Sequence, residues 1–341
     1  MRIGVTVWAA SYAKGRYPDS DIMPLKQPEW IASVVSMLSD DDVETRRQGF
    51  NLKQQNVPGR LFRYRDINAI RELESSTIWL SAAEKFNDPF DCTVSVDFAP
   101  AMQVGLGRAF EEGAFTATCP EILARTEQRP NKLAALDELF ADGVVRQLGE
   151  QYREKAAGFF GQFLDKQSSE ATVMFSRGWQ RRLKIAAFSE VPESLVLWAH
   201  YASDHKGFCI EYAFSTLTPA DPRIECLFPV VYDDGRFSLA DYIAKVRNGV
   251  TPNPNLPILA AIHKSPEWGY EREWRLVQMD DGVRDGFLVP MPKPTSVRIG
   301  ARMAPETRGR ICNLAATMGF EVYEMRLSTK QFCMQSVRVA E

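Results

Sequence analysis

The sequence predicts an α+β fold, on three observations. Short alternating apolar runs bounded by turn residues, such as residues 61–65 and 77–81, read as strands. Between about 100 and 182 the pattern changes to helix period, with Leu133, Leu136, Leu139, Phe140, Val144 and Leu148 along one stripe. After Gln180 short strands return, so helical segments interrupt a mixed or antiparallel sheet.

In order along the chain, residues 1–58 read as an N-terminal appendage, and 59–341 as a single domain with a helical insertion at about 100–182. A turn-rich stretch at Tyr17, Pro18 and Asp19 leads to a helix carrying Trp30, Val34, Val35 and Leu38. The polar run from Ser39 to Asp42 stops that helix or caps the next. Residues 56–59 form the linker. In strand 61–65, Arg63 and Arg65 project to one face, and Phe62 and Tyr64 to the other. Asp66 caps a short helix over 68–74 with Ile70 and Leu73 inward, and strand 77–81 enters a loop ending at Asn87, Asp88 and Pro89. Further strands are expected at 185–189, 207–212, 230–232, 273–278, 286–290, 296–299 and 321–326. Helices are expected at 193–203, near 239–246 and at 307–318, with 251–257 a proline-rich loop.

The 341 residues are 45 % hydrophobic and 25 % charged, ordinary globular values that predict a sizeable core. A net charge of −3 lacks the basic footprint of a duplex binder. The six cysteines show neither C-x-x-C pairing nor zinc-ligand spacing and are expected as free thiols in a reducing cytoplasm. No stretch reaches the roughly 18 to 20 apolar residues that span a membrane. The N-terminus only faintly resembles an export signal, and the expectation is a cytoplasmic protein with no membrane partner.

Three blocks mix aromatic and charged residues as binding pockets do: 61–91, 187–212 and 264–277. All three histidines and four of the seven tryptophans lie in or beside them, so one shared site is expected. In the first block, Arg63 and Arg65 suit a phosphate or an ion pair with Asp66, Glu72 or Glu74, and Tyr64 lies beside them. Asn87, Asp88 and Asp91 line a pocket or build a turn around Pro89. In the second, Trp198 and Tyr201 share a helix face with His200 at its edge. Lys206 follows, and Gly207 permits a positive φ. In the third, Glu271, Glu273 and Arg275 share a face if extended, so two carboxylates shift one another's pKa or form a charge ladder with Arg275. No phosphate-binding glycine loop, nucleophile elbow or H-E-x-x-H occurs.

These strings, LFRYRD, WLSAAEKFNDPFD, LWAHYASDHKGFCIEY and YEREWRLV, occur in this order and together resemble the bacterial family called domain of unknown function 2971, over roughly residues 60–330. That resemblance implies no activity. In layout alone the chain is similar to ADP-ribosyltransferases, which cleave nicotinamide from NAD. The likeness implies Arg63 or Arg65 at the NAD phosphates, Tyr201 or Trp198 stacking, and Glu273 at the ribose, with Glu271 completing a Glu-x-Glu pair. Departures are Phe188-Ser189-Glu190 in place of a Ser-Thr-Ser motif, and no His-Gly opening.

The leading expectation is an enzyme acting on a nucleotide-like small molecule, with NAD as substrate rather than cofactor and a macromolecular acceptor unidentified. Glu273, Glu271 and His200 are the catalytic candidates; Arg63, Tyr64, Arg65, Asn87, Asp88, Asp91, Trp198, Tyr201, Lys206 and Arg275 are the binding candidates. Two alternatives stand beside it. One is a metal-dependent phosphodiesterase using Asp88, Asp91, His200 and Glu271. The other is a non-catalytic ligand-sensing or interaction module of phage defence or toxin biology. Oligomeric state is left open.

Overall fold

A computed structural model describes residues 27–97, 165–247 and 249–339. The expected turn around Tyr17 and the helical stripe at 133–163 lie outside these residues.

Helix α1 (Glu29–Ser39) turns its Ile31, Val34 and Leu38 inward. The next helix, α2 (Val43–Gln55), begins where the Asp42 carboxylate accepts from the Thr45 amide, an N-cap that satisfies an orphan donor. Strand β1 (Leu61–Arg65) follows, then the Asp66 cap, α3 (Ile70–Ser75) and β2 (Thr77–Ala82). After the short β3 (Val94–Ser95) and the described part of helix α4, residues 165–182, come β4 (Leu183–Ser189), α5 (Leu195–Tyr201) and β5 (Phe208–Tyr212).

A short helix α6 (Pro222–Glu225) leads to β6 (Leu227–Pro229), β7 (Val231–Tyr232), β8 (Phe237–Ser238) and α7 (Ala240–Arg247). The stretch expected as a proline-rich loop is loop and turn over 251–255, and its last two residues start α8 (Leu256–Ile262), because Pro257 sits in the first turn, where its missing N–H costs nothing. Then come β9 (His263–Lys264), a 3-10 turn (Pro266–Glu271), β10 (Glu273–Met279), β11 (Gly286–Pro290), β12 (Ser296–Ile299), α9 (Pro305–Met318), β13 (Glu321–Leu327) and β14 (Met334–Arg338).

The architecture is α+β around a mixed, mostly antiparallel sheet in the order β11-β2-β4-β1-β5-β12-β13-β14, with β10 and β6 joined to it through β4. Among the described strands of this sheet only β12 and β13 run parallel. Strand β4 is the hinge of the arrangement. One edge carries β10 along its full length, while the other is shared by β1 near Ser189 and β2 near Lys184. Where β1 and β2 diverge, the Arg63 guanidinium fills the fork and donates to Ala187 O and Trp79 O at 3.0 Å each. It supplies the donors that a continuous ladder would have placed there.

Register partners project to the same face, which sorts the core. One face presents Leu61, Ala186, Phe188, Ile210, Trp274 and Leu276 to α3 and α9. The opposite face holds two apolar clusters. Leu183, Ile185 and Val277 pack with α1 and α8, while Phe62, Tyr64 and Cys209 pack with Leu197 and Trp198 of α5. Helices α1 and α2 are thus built into the main core. Lys53 of α2, fully buried, donates to Ile224 O and Glu225 O and lies 4.5 Å from the Phe228 ring centroid.

Among the described residues no helix is long and apolar enough to cross a membrane.

Candidate functional site

Between the two clusters of the second face runs a seam, and charged side chains fill it. Glu273 and Arg275 point into it from β10, one residue pair before Val277 joins the α8 cluster. Arg275 Nε donates to Glu273 Oε1 at 2.7 Å, and its Nη2 reaches Asp91 Oδ1 at 2.7 Å. A third bond, Nη1 to Ala261 O at 2.6 Å, ties it to the end of α8. Lys264 enters from β9 and donates to Glu271 Oε2 at 2.6 Å and Glu273 Oε2 at 2.8 Å. Every one of these charges is buried. Burying them is costly, and the cluster stands only because each has an opposite partner within hydrogen-bond reach.

The local backbone explains the convergence. Glu271 closes the 3-10 turn and Arg272 is left-handed at φ 43°, so the two glutamates are not on one extended strand as expected. The kink instead turns both carboxylates onto Lys264. Ser189 of β4 pins the kink, its hydroxyl donating to Glu271 O at 2.6 Å. Tyr232 does the same two residues on, accepting from the Glu273 amide at 3.0 Å.

Electrostatics divide the two glutamates. Burial would raise Glu273, but Arg275 and Lys264 outweigh it and hold the carboxyl at about 2. Burial and the neighbouring Glu273 charge push Glu271 up to about 7, against the pull of Lys264 and Tyr201. Lys264 is held charged, because Glu273, Asp91 and Glu271 together exceed its burial penalty. Two carboxyls with opposed environments and one near neutrality form the arrangement expected of an acid–base site.

Glu271, itself buried, also touches a half-buried ring. Its Oε1 accepts from Tyr201 Oη at 2.8 Å. Tyr201 begins a rim of rings: His200 and Tyr201 centroids are 6.1 Å apart, His200 and Trp268 6.4 Å, Trp268 and Tyr270 6.1 Å. Tyr201, Trp268 and Tyr270 are half-buried and His200 is exposed.

The three blocks therefore meet in part. Asp91, Tyr201, Glu271, Glu273 and Arg275 assemble, with His200 at the rim. Arg63 and Arg65 do not. Arg63 pairs in register with Ile210 and so faces the α3–α9 side, whereas Glu273 pairs with Ser189 and faces the other. Both arginines are engaged by buried Glu72, Arg65 Nη2 at 2.7 Å and Arg63 Nε at 3.5 Å. This corrects the expectation of a phosphate pair at the site.

Trp198 is fully buried with its indole N–H on Pro192 O, and Tyr64 packs edge-on against it at 5.4 Å with its hydroxyl on Val191 O; both are core residues rather than stacking platforms. Asp88 accepts from the Phe90 amide in a tight turn, and Asn87 is exposed beside it. Lys206 is exposed in the turn after α5. In that turn the positive φ falls on Ser203, Asp204 and His205, not on Gly207. Gly207 is required for a different reason, since a Cβ there would strike the Arg65 carbonyl oxygen.

Among the described residues no group of three His, Cys, Asp or Glu side chains is placed to hold a metal ion. An open recess of about 520 Å³ lies between α3 and α9, lined by Glu74, Arg310 and Asn313 among others, on the opposite sheet face from Glu273.

Sequence reasoning missed Lys264, Tyr232 and Trp268 as site residues. Lys264 opens the third block, but a two-residue strand before a 3-10 turn has no periodicity to mark its direction.

Fold and site together define an α+β protein with a buried carboxylate–lysine–arginine cluster under an aromatic rim. Residues 197–276 match the family model described as protein of unknown function (DUF2971), so the chain resembles that family from α5 to β10. The match includes Tyr201, Lys264, Glu271, Glu273 and Arg275 and leaves out the LFRYRD and FNDPFD strings. No curated protein and no solved structure gives a significant match.

Proposed function

We propose that this protein is an enzyme using Glu271 for acid–base chemistry on a nucleotide-like substrate, with N-glycosidic cleavage of NAD the first reaction to test. The observation carrying the proposal is Glu271 itself. It is buried, titrates near neutrality, and touches Tyr201 beneath half-exposed rings that suit a flat heterocycle.

In this reaction the bond between ribose C1′ and the ring nitrogen breaks, and its electron pair leaves with the ring. Glu271 in its carboxylate form takes the proton of the attacking water or acceptor hydroxyl, whose oxygen bonds to C1′. Lys264 and Tyr201 hold the carboxylate in place from both oxygens. Glu273, expected as the carboxylate that stabilises positive charge on the ribose, fits better as the anion that keeps Lys264 and Arg275 paired. The likeness to ADP-ribosyltransferases remains one of layout.

Incubating the full chain with NAD, with and without a chelator, tests the reading. Release of nicotinamide unaffected by chelator, and lost in Glu271→Gln, supports it. Chelator-sensitive nucleic-acid cleavage would favour the phosphodiesterase alternative, and inertness toward NAD the ligand-sensing one.

A further inference from the structure

Three acids face two bases in the seam: Asp91, Glu271 and Glu273 against Lys264 and Arg275. The cluster is neutral with one acid protonated and carries one negative charge with all ionised. Glu273 is answered by Lys264 and Arg275 together, and Asp91 by Arg275. Asp91 shares Arg275 with Glu273 as Glu271 shares Lys264 with it, so the one uncompensated charge falls on Asp91 and Glu271 between them, and burial raises both carboxyls. Glu271 is the one of the two that touches the aromatic rim, through Tyr201.

Ring faces beside an uncompensated carboxyl attract a cation, through the ring quadrupole and through charge. Lys264 already shows this from within, its ammonium 4.8 Å from the Trp268 centroid. Arg63 and Arg65, the pair expected to receive an anion, are on the other sheet face and engaged by Glu72.

We propose that the site takes a small flat cation of the pyridinium type, held on the Trp268–Tyr270–His200 rim, and that its arrival expels the proton from Glu271. This rests on the reading of Glu271 as the acid–base group and names the charge its substrate's ring must carry. A bound cation supplies the charge missing from the cluster and leaves Glu271 as the carboxylate that the reaction needs. Proton release and cation binding are then linked: each favours the other by the same factor.

The groups facing Glu271 come from every element around it: Lys264 from β9, Glu273 and Arg275 from β10, Tyr201 from α5, Tyr232 from β7, Asp91 from the loop after β2, and Tyr270 in its own turn. Burial and nearby carboxylates raise Tyr201, Tyr232 and Tyr270, so these phenols stay neutral. At the rim stands His200, exposed to solvent.

Calorimetric titration of the full chain with 1-methylnicotinamide, a permanent cation, and with nicotinamide, its neutral counterpart, tests the proposal. The cation is expected to bind at least about tenfold more tightly at pH 8, weakening about tenfold per pH unit below 7. That dependence should vanish in Glu271→Gln and persist in His200→Asn. Equal affinity for the two probes, no binding of the cation, or a pH dependence that follows His200 instead would overturn it. NAD turnover, scored separately, keeps the two ideas apart. Cleavage of NAD with no preference for the cation sinks this inference alone. Selective cation binding without turnover sinks the catalytic reading alone.

Discussion

Glu271 is held from both sides, its Oε1 accepting from Tyr201 at 2.8 Å and its Oε2 from Lys264 at 2.6 Å. Both bonds favour the ionised carboxylate, while burial and Glu273 oppose it, and the balance falls at about 7. Tyr201→Phe removes one of the two bonds. Glu271 should then titrate higher, and turnover should fall more at pH 6 than at pH 8. A pH–rate profile of the variant checks this; a uniform loss at every pH would mean that Tyr201 acts on the substrate rather than on Glu271.

Glu271→Gln should slow NAD turnover by about a hundredfold or more, as loss of a general base does. The fold should not suffer. Glu271 titrates above its ordinary carboxyl value of 4.5, so between pH 4.5 and about 7 the native state holds a proton that the unfolded chain has lost. Its contribution to stability therefore declines as pH rises through that window. At pH 8 the glutamine variant should melt at the same temperature as the wild type or higher. Melting curves and activity on one preparation decide the matter; a variant that unfolds early at pH 8 would make Glu271 a structural residue.

Glu273→Gln should behave in the opposite way. Removing it leaves Lys264 with Glu271 and Arg275 with Asp91 but strips both bases of a charge-assisted hydrogen bond, at a cost of about 1.5 to 3 kcal/mol. Glu273 titrates at about 2, below its ordinary 4.5. Its stabilisation is thus present above pH 4.5 and lost as pH falls toward 2. Urea unfolding at pH 7 and at pH 3 should show the variant's deficit narrowing at the lower pH, whereas a constant deficit would mean lost packing alone.

Much of the fold was legible in composition and turn residues: Leu61–Arg65 and Glu273–Met279 are both strands where read, though each is buried on both faces rather than alternately. The helix starts at Asp42 and Asp66 were legible as side-chain caps. Strand β14 and helix α8 were not. The strand mixes Met334, Gln335 and Ser336 without clear alternation, and Pro257 disguises the helix start as a loop.

For the site, composition brought the right blocks forward but not the face of each residue. Alternation put Arg63 and Arg65 together, yet only the register of β1 on β5 and β4 shows that they point away from Glu273. The third block fooled the extended reading because one left-handed residue, Arg272, reverses a direction that no spacing announces.

Arg63→Lys tests the fork between β1 and β2. A lysine ammonium cannot span both Ala187 O and Trp79 O as the guanidinium does, so at least one of these part-buried carbonyls loses its donor, at a cost of about 1 kcal/mol. The melting temperature should fall while the folded protein keeps its NAD turnover. A selective loss of turnover with unchanged melting would return Arg63 to the substrate.

The account turns on the protonation of Glu271, which carboxyl-carbon NMR of glutamate-labelled protein reads directly. The signal that disappears in Glu271→Gln should titrate with a midpoint near 7 and move lower when 1-methylnicotinamide is bound. A Glu271 carboxyl that is already ionised at pH 5, with or without the cation, would contradict it.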